Sequence, residues 1–507
     1  MVQLALLQVN HQAWQKDAKM QIRKSFLLSV SETYTVTFIG FISSVILARL
    51  LTPAEVGIFS IASIFVGVGN TVREFGIGPY VIQEKELTGE RLQAAFALNL
   101  GIGLALCLLT LFASPYISNF YGSPKLKDVL LVLAFNFALI PFGSVTMAYL
   151  RRELSFGPIY IVKLCSSCTH LLVSVLLAYL GYGPISLAWA ALAGIIVTVI
   201  GLNFFRPAWF SLKPSLGQMK HVFSFASQTS LTSIIREICL GLPELVVGKV
   251  LGLAPVGLLG RAMGTVDIFT KVILSGLSSV VMPVLSMEAR AGREAASFYL
   301  RICGNITALS WPFFALLGIH AKTAIMILYG PQWLEAVPLV QALCVMSIIV
   351  ALHPYAGDLL LSRGKPRQNL RMMVITQAIR ISILCISVFW GLQAVCYAFI
   401  LSQLINSSVI VAILRKEEGV SGKQLLLASR RSMLVTVAAV VTSVIFGMII
   451  EENKLWLHAI FIALGAILGW LGCLFLVKHE LADEASRALG IVSHWLRERI
   501  ATIRSRS

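Results

Sequence analysis

Residues 46–62 read ILARLLTPAEVGIFSIA, and residues 246–262 read VVGKVLGLAPVGLLGRA, the same pattern 200 positions further along. Five positions are identical: Leu51/Leu251, Ala54/Ala254, Val56/Val256, Gly57/Gly257 and Ala62/Ala262. Arg49 stands opposite Lys249, and four further pairs exchange one branched aliphatic for another. Coincidence between two apolar stretches is the competing explanation, and what surrounds the two copies decides the matter.

The surroundings are written for lipid. Of 507 residues, 57% are hydrophobic and only 13% charged, with a mean hydropathy of +0.83. Soluble domains carry about 25% charge. Runs such as 38-FIGFISSVILA-48, 98-LNLGIGLALCLLTLFA-113 and 187-LAWAALAGIIVTVIGLNFF-205 belong to segments long enough to cross hydrocarbon as helices. The alternating pattern of a membrane-spanning barrel is absent. The pattern predicts fourteen spans, at about 26–48, 56–81, 93–113, 129–150, 159–180, 185–205, 222–248, 255–283, 297–318, 336–360, 371–390, 393–414, 432–450 and 455–477. The first, seventh and eighth are the least hydrophobic.

Charge tests that count. With the N-terminus in the cytoplasm, 29 of the 41 Lys and Arg fall in segments on the inside, six on the outside and six within spans. Such asymmetry is the positive-inside pattern, and one missed span would scramble it. The net charge of +17 is thus mainly a topological signature facing anionic lipid, and nucleic-acid binding is not implied. Both termini are expected in the cytoplasm of a multi-pass protein of the bacterial inner membrane.

The repeat now has a frame, because one copy joins spans one and two and the other joins spans seven and eight. Further echoes follow in order: Pro79 and Pro283, 89-GERLQAAF-96 and 292-GREAASFY-299, 138-ALIPF-142 and 351-ALHPY-355. Six spans separate each pair, so the copies share one orientation, a parallel repeat about an axis along the membrane normal. The expected fold is an all-α polytopic membrane protein of about fourteen transmembrane helices. Two pseudo-symmetric six-helix lobes surround a central cleft, with two further C-terminal helices. The divisions are a cytoplasmic N-terminal segment 1–25, an N-lobe 26–206, a cytoplasmic linker 207–221, a C-lobe 222–414, a cytoplasmic loop 415–431, spans thirteen and fourteen over 432–477, and a basic cytoplasmic tail 478–507.

Two terminal and compositional points are smaller. The first 25 residues lack the order and cleavage site of a signal peptide, and Met20 is an alternative start to Met1. All nine cysteines lie in apolar segments; 165-CSSC-168 has no companion pair, so these thiols are expected to be buried small hydrophobes.

Several stretches resemble the polysaccharide-export branch of the multidrug/oligosaccharidyl-lipid/polysaccharide exporter superfamily, the Wzx-type lipid-linked oligosaccharide flippases, and within it the colanic-acid-exporter-like group. They are 48-ARLLTPAEVGIFSIA-62, 74-EFGIGPYVIQ-83, 150-LRRELSF-156, 329-YGPQWLEAVPLVQAL-343 and 361-LSRGKPRQ-368. The resemblance implies translocation of polyprenyl-diphosphate-linked oligosaccharide repeat units for exopolysaccharide, capsule or O-antigen synthesis, by alternating access. It implies as partners the lipid-linked substrate, membrane lipids, a polysaccharide polymerase and chain-length or export machinery.

Ionisable residues inside the spans are the candidate site, since each costs about 2.5–3.5 kcal/mol at a helix centre if it faces lipid. For a diphosphate, guanidinium and ammonium groups are the matching donors, which selects Arg73, Arg236, Arg261, Lys271, Lys163 and Arg380. Arg73–Glu74 and Arg236–Glu237 are sequence neighbours about 100° apart on a helix and cannot pair face to face. Asp267 and Lys271, four apart, can neutralise each other; Lys163 and Arg380 can snorkel to the cytoplasmic surface. Asp358, Glu74, Glu237 and Asp267 are the candidate ion-coupling acids. Asp358 follows 351-ALHPYAG-357, where Pro354 and Gly357 imply a broken helix.

Other functions find little support. No GxxxxGK[ST], HExxH or GxSxG stretch occurs, no motif calls for a cofactor or metal, and the chain does not read as an enzyme. Two alternatives remain: a cation-coupled multidrug exporter of the same fold, and a membrane-embedded polysaccharide polymerase or acyltransferase. The first calls for a cleft of acids and aromatics, the second for larger outside loops.

Overall fold

Hydrocarbon offers no hydrogen-bond partners, so each span must satisfy its own backbone. The chain does this with helices, and no strand occurs among the described residues. The computed structural model describes residues 2–482 and Ser486, except 75, 216, 218, 272–274, 291–294 and 451–453. Side chains are described for Ser25 and from Leu27 onward, except over 218–233 and 272–280. Most of the expected tail 478–507, and the side chains of the expected segment 1–25 other than Ser25, lie outside the described residues.

The helices in chain order are α1 (Val2–Leu50), α2 (Pro53–Glu74), α3 (Ile77–Gln83), α4 (Gly89–Tyr121), α5 (Pro124–Leu139), α6 (Pro141–Arg152), α7 (Phe156–Tyr179), α8 (Ile185–Phe204), α9 (Met219–Val250) and α10 (Leu253–Phe269). They continue as α11 (Ser275–Arg290), α12 (Ala295–Ile319), α13 (Ala321–Leu328), α14 (Val337–Val350), α15 (Ala356–Ser362), α16 (Pro366–Ser387), α17 (Leu392–Glu418), α18 (Gly422–Ala428), α19 (Arg430–Gly447) and α20 (Leu455–Leu476). Among the described residues eleven helical segments are long and apolar enough to cross a membrane, and the bent pair α5–α6 makes a twelfth. The two other expected spans, 222–248 and 255–283, coincide with α9 and with α10–α11, where some residues are not described. This is a multi-pass helical membrane protein.

Backbone proximity divides the chain into two units, Met1–Gly260 and Arg261–Ser507. In the first, α7 packs on α1 and α8, α5 on α2, α4 and α8, and α9 against α2 and α4. Tyr80, Leu92, Phe96, Val145 and Phe210 form a core joining α3, α4, α6 and the segment after α8. In the second unit α12 packs on α14 and α19, α17 on α14 and α16, and α19 on α20. Interhelical hydrogen bonds fasten this unit, as is common where packing has no hydrophobic drive. Trp470 Nε1 donates to Ala308 O and Trp311 Nε1 to Ile348 O, each at 2.9 Å.

The two copies of the quoted stretch come into direct contact. A Cβ on Gly57 would lie 1.8 Å from the Leu253 carbonyl oxygen, and a Cβ on Gly257 would lie 1.9 Å from the Pro53 oxygen. The contact is reciprocal, residue for residue, at the register of the repeat. Only hydrogen fits there, so the Cα–H bonds point at the opposite carbonyls, an arrangement suited to close helix crossings.

The repeat also shows in the broken spans. At 138-ALIPF-142 the axes of α5 and α6 differ by 51°. At 351-ALHPY-355 α14 ends on Val350, Tyr355 adopts φ 54°, and α15 begins at Ala356. One expectation is corrected: Cys165 is exposed, while Cys107, Cys303, Cys344 and Cys396 are buried. A thiol turned to hydrocarbon loses little, so an apolar setting does not require burial within protein.

Candidate functional site

A hollow of about 730 Å³ lies inside the first unit, walled by α1, α2, α3, α4, α6, α7 and α8. Among the described residues three cations line it: Arg73 from the last turn of α2, Arg151 near the end of α6 and Lys163 from α7. Glu74 is the acid on the wall, and His170 joins Lys163 from the same face of α7.

Arg73 is 6% exposed, an unusual position for a guanidinium, and the sequence supplies neutral partners for it. Its Nη1 donates to Asn99 Oδ1 at 2.8 Å and its Nε to Asn70 Oδ1 at 3.4 Å. Asn99 in turn donates from Nδ2 to Ser144 Oγ at 2.8 Å. One chain of amide and hydroxyl groups from α4 and α6 therefore aims a side chain that grows from α2. Amides satisfy the hydrogen-bonding needs of the guanidinium without cancelling its charge. Among the described residues no carboxylate lies within ion-pair distance of it. Glu74, next in the chain, acts on that charge only through space; a buried charge with no ion pair is costly, and an anion in the hollow relieves that cost.

The Lys163 ammonium and the Arg151 guanidinium likewise make no ion pair or hydrogen bond among the described residues. Arg152, next to Arg151, is committed to structure instead: its guanidinium donates to Val81 O at 2.9 Å and to Glu84 O, closing the end of α3. The hydroxyls of Ser144 and Thr198 add further polar surface to the wall.

The other sequence candidates lie elsewhere. Arg236 is exposed on α9, and Glu237 turns toward α2, its Oε1 3.2 Å from the Cβ position of Gly67. Arg261, in the second unit, lies 5.5 Å from the Tyr329 ring centroid and 5.2 Å from that of Trp333, both rings buried. Thr265 Oγ1 and the Tyr329 hydroxyl share a hydrogen bond of 3.0 Å beside it. Desolvated stacking of this kind is worth about 2 kcal/mol and gives Arg261 a packing role. Lys271 is exposed, and its charge acts on Asp267. Asp358 is half-buried in the first turn of α15, and Arg380 is half-buried on α16. Arg363 pairs with Glu418 at 3.2 Å, and Lys365 pairs with Glu418 at 2.9 Å.

Asn99, Ser144 and Arg151 also line the hollow, and a selection of charges inside spans passes over them. An amide inside 98-LNLGIG-103 is a signal available in the sequence; Arg151 is masked by its place among topological charges at a span end. Asn99→Leu tests the aiming role. It is expected to lower transport about tenfold, in line with the 1.5–3 kcal/mol of a hydrogen bond to a charged group. Asn99→Gln should recover part of the loss. Equal transport rates for wild type and Asn99→Leu, at equal membrane levels, rule the role out.

Comparison with known proteins agrees with this architecture. Residues 46–338, more than half of the chain, match the family described as polysaccharide biosynthesis protein. An uncharacterized membrane protein in the cps region of Klebsiella pneumoniae is 25% identical over 399 residues, which cover 77% of this chain and 81% of that one. The lipopolysaccharide biosynthesis protein WzxC of Escherichia coli (strain K12) is 22% identical over 435 residues, 83% of this chain and 87% of its own. Among solved structures, the lipid II flippase MurJ in an inward closed conformation gives a TM-score of 0.71 at 16% identity, covering 90% of this chain and 99% of MurJ. That likeness is one of fold. With its helical spans, its internal repeat and a family match over residues 46–338, the chain belongs to the polysaccharide biosynthesis protein family.

Proposed function

We propose that the protein flips polyprenyl-diphosphate-linked oligosaccharide repeat units across the bacterial inner membrane, by alternating access, for exopolysaccharide, capsule or O-antigen synthesis. The observation that carries this reading is the enclosed Arg73 guanidinium, held by Asn70 and Asn99 with its charge left for an anion. Among the described residues, Arg151 and Lys163 on the same wall bring the cations to three against one carboxylate, that of Glu74. That excess suits a diphosphate, whose oxygens take charge-assisted hydrogen bonds from guanidinium groups. Neutral Ser144 and Thr198 suit sugar hydroxyls.

Support comes also from the flippase activity in the name of MurJ and the lipopolysaccharide synthesis in that of WzxC. The coupling acids under this reading are Asp358, Glu74, Glu237 and Asp267. Asp358 has the most suitable position, because the break before α15 sets it where backbone and side chain can move together. Arg236, Arg261, Lys271 and Arg380 lie off that wall and have no part in this reading. Both termini face the cytoplasm, on the strength of the Lys and Arg distribution.

The test is reconstitution. In proteoliposomes loaded with a fluorescent polyprenyl-diphosphate oligosaccharide, the protein is expected to expose the outer half of the pool and then the inner half to an impermeant sugar-cleaving enzyme. Protection of the inner half, with and without an imposed proton or sodium gradient, sinks the reading.

A further inference from the structure

A second, smaller cavity of about 160 Å³ lies in the second unit, lined by Leu300, Arg301, Asn305, Arg431, His479 and Glu480, among others. It sits where α19 begins, α20 has just ended and the second turn of α12 passes. Its floor is rigid. Ser432 Oγ donates to Gly304 O at 2.9 Å, and Thr307 Oγ1 donates to Ser432 Oγ at 3.0 Å, joining α12 to α19. The Leu481 N–H donates to His479 Nδ1 at 3.2 Å, which leaves the proton of the neutral ring on Nε2, 3.4 Å from Ser432 Oγ. Burial pushes the His479 imidazole below its usual range, in keeping with that neutral form.

The rim carries donors in excess. Arg431 Nη1 donates to Lys478 O at 3.1 Å, and Arg301 Nε pairs with Glu480 Oε2 at 3.3 Å. Among the described residues the remaining guanidinium nitrogens of both arginines and the Asn305 amide have no acceptor. Among the described residues that line the cavity, two guanidinium groups against one carboxylate leave a single net positive charge, matched by a phosphodiester monoanion. Exposed apolar side chains lie close by in the chain: Leu476, three residues before His479, is 84% exposed, and Met433 and Leu434, just after Arg431, are 56% and 52% exposed. Surfaces of this kind at a span end face acyl chains, and basic pockets between helices at the membrane border take anionic headgroups.

We propose that this cavity binds the phosphodiester headgroup of an anionic phospholipid. The lipid phosphate lies between Arg301 and Arg431 with Asn305 donating, and its acyl chains run along the exposed apolar face of α19. A bound lipid of this kind ties α12, α19 and the segment after α20 together. The inference is independent of what the protein carries, because none of its residues lines the larger hollow.

Native mass spectrometry of the full chain in detergent, titrated with a short-chain phosphatidylglycerol or phosphatidylcholine, reads the binding directly. The wild type is expected to retain one phosphatidylglycerol in preference to phosphatidylcholine. Arg431→Gln and Arg301→Gln should each weaken that adduct about fivefold, and Lys454→Gln, at the start of α20, should leave it unchanged. Asn305→Leu, which removes no hydrogen bond within the protein, separates loss of the site from loss of the fold and should also weaken it. Equal phosphatidylglycerol retention by Asn305→Leu, Arg301→Gln and the wild type overturns the proposal. So does displacement of the lipid by inorganic phosphate at comparable concentration, which makes the ligand a free anion.

Discussion

Replacing Arg73 by Gln is expected to abolish export of surface polymer while the protein remains in the membrane at wild-type levels. Glutamine keeps a donor for Asn99 and fills much of the space, so the helices around the hollow stay packed. What disappears is the enclosed charge. Loss of a charge-assisted hydrogen bond to phosphate weakens binding by about 1.5–3 kcal/mol, roughly ten- to a hundredfold. Arg73→Lys should recover only part of it, because an ammonium lacks the planar fork that Asn70 and Asn99 hold. Complementation of a strain lacking the gene, with polymer measured at the cell surface and protein by immunoblot, provides the readout. Wild-type polymer from Arg73→Gln removes the hollow from the mechanism.

The second large effect concerns packing. Gly57→Leu is expected to prevent accumulation of folded protein, and Gly57→Ala to lower its thermal midpoint in detergent. The atom that a Cβ would meet is the backbone oxygen of Leu253 at 1.8 Å, which no rotamer change can move aside. Overpacking typically costs 1–3 kcal/mol when side chains can yield, and more when they cannot. Gly257→Ala should match Gly57→Ala, since the Pro53 oxygen stands at 1.9 Å in the reciprocal contact. Gly101→Ala, which meets nothing within 4 Å, is the control and should be silent. A Gly57→Leu protein that elutes as a single peak and melts with the wild type contradicts the crossing.

Much of the architecture was legible because lipid imposes a simple grammar. Span length, the asymmetry of basic residues and the even spacing of the repeat each follow from one physical constraint, so the fourteen-span reading needed no knowledge of contacts. The repeat even marked the places where spans four and ten break, through 138-ALIPF-142 and 351-ALHPY-355. The site was legible in part. Arg73, Glu74 and Lys163 share one wall, yet helical periodicity says which residues share a face and not what that face meets. Arg261 illustrates the limit: its stacking on Tyr329 and Trp333 depends on a segment some seventy positions away. Asn99 was missed for a related reason, since a neutral amide in an apolar run carries no charge to count.

The two broken spans occupy equivalent places but are fastened differently. Pro141 has no N–H for the Phe137 carbonyl, and that oxygen lies 2.4 Å from the Cβ position of Gly103 on α4. Pro354 likewise withholds a donor from Val350 O, and here the His353 N–H takes it at 3.2 Å while His353 Nε2 reaches Ser407 Oγ at 2.7 Å. Duplication thus preserved the location of each hinge and let its latch diverge. The elbow at Pro141 is tied by an amide, Asn203 Nδ2 donating to Phe142 O at 3.1 Å, whereas the one at Pro354 is tied by an imidazole and a hydroxyl, so the stiffness of each can be tuned by separate substitutions.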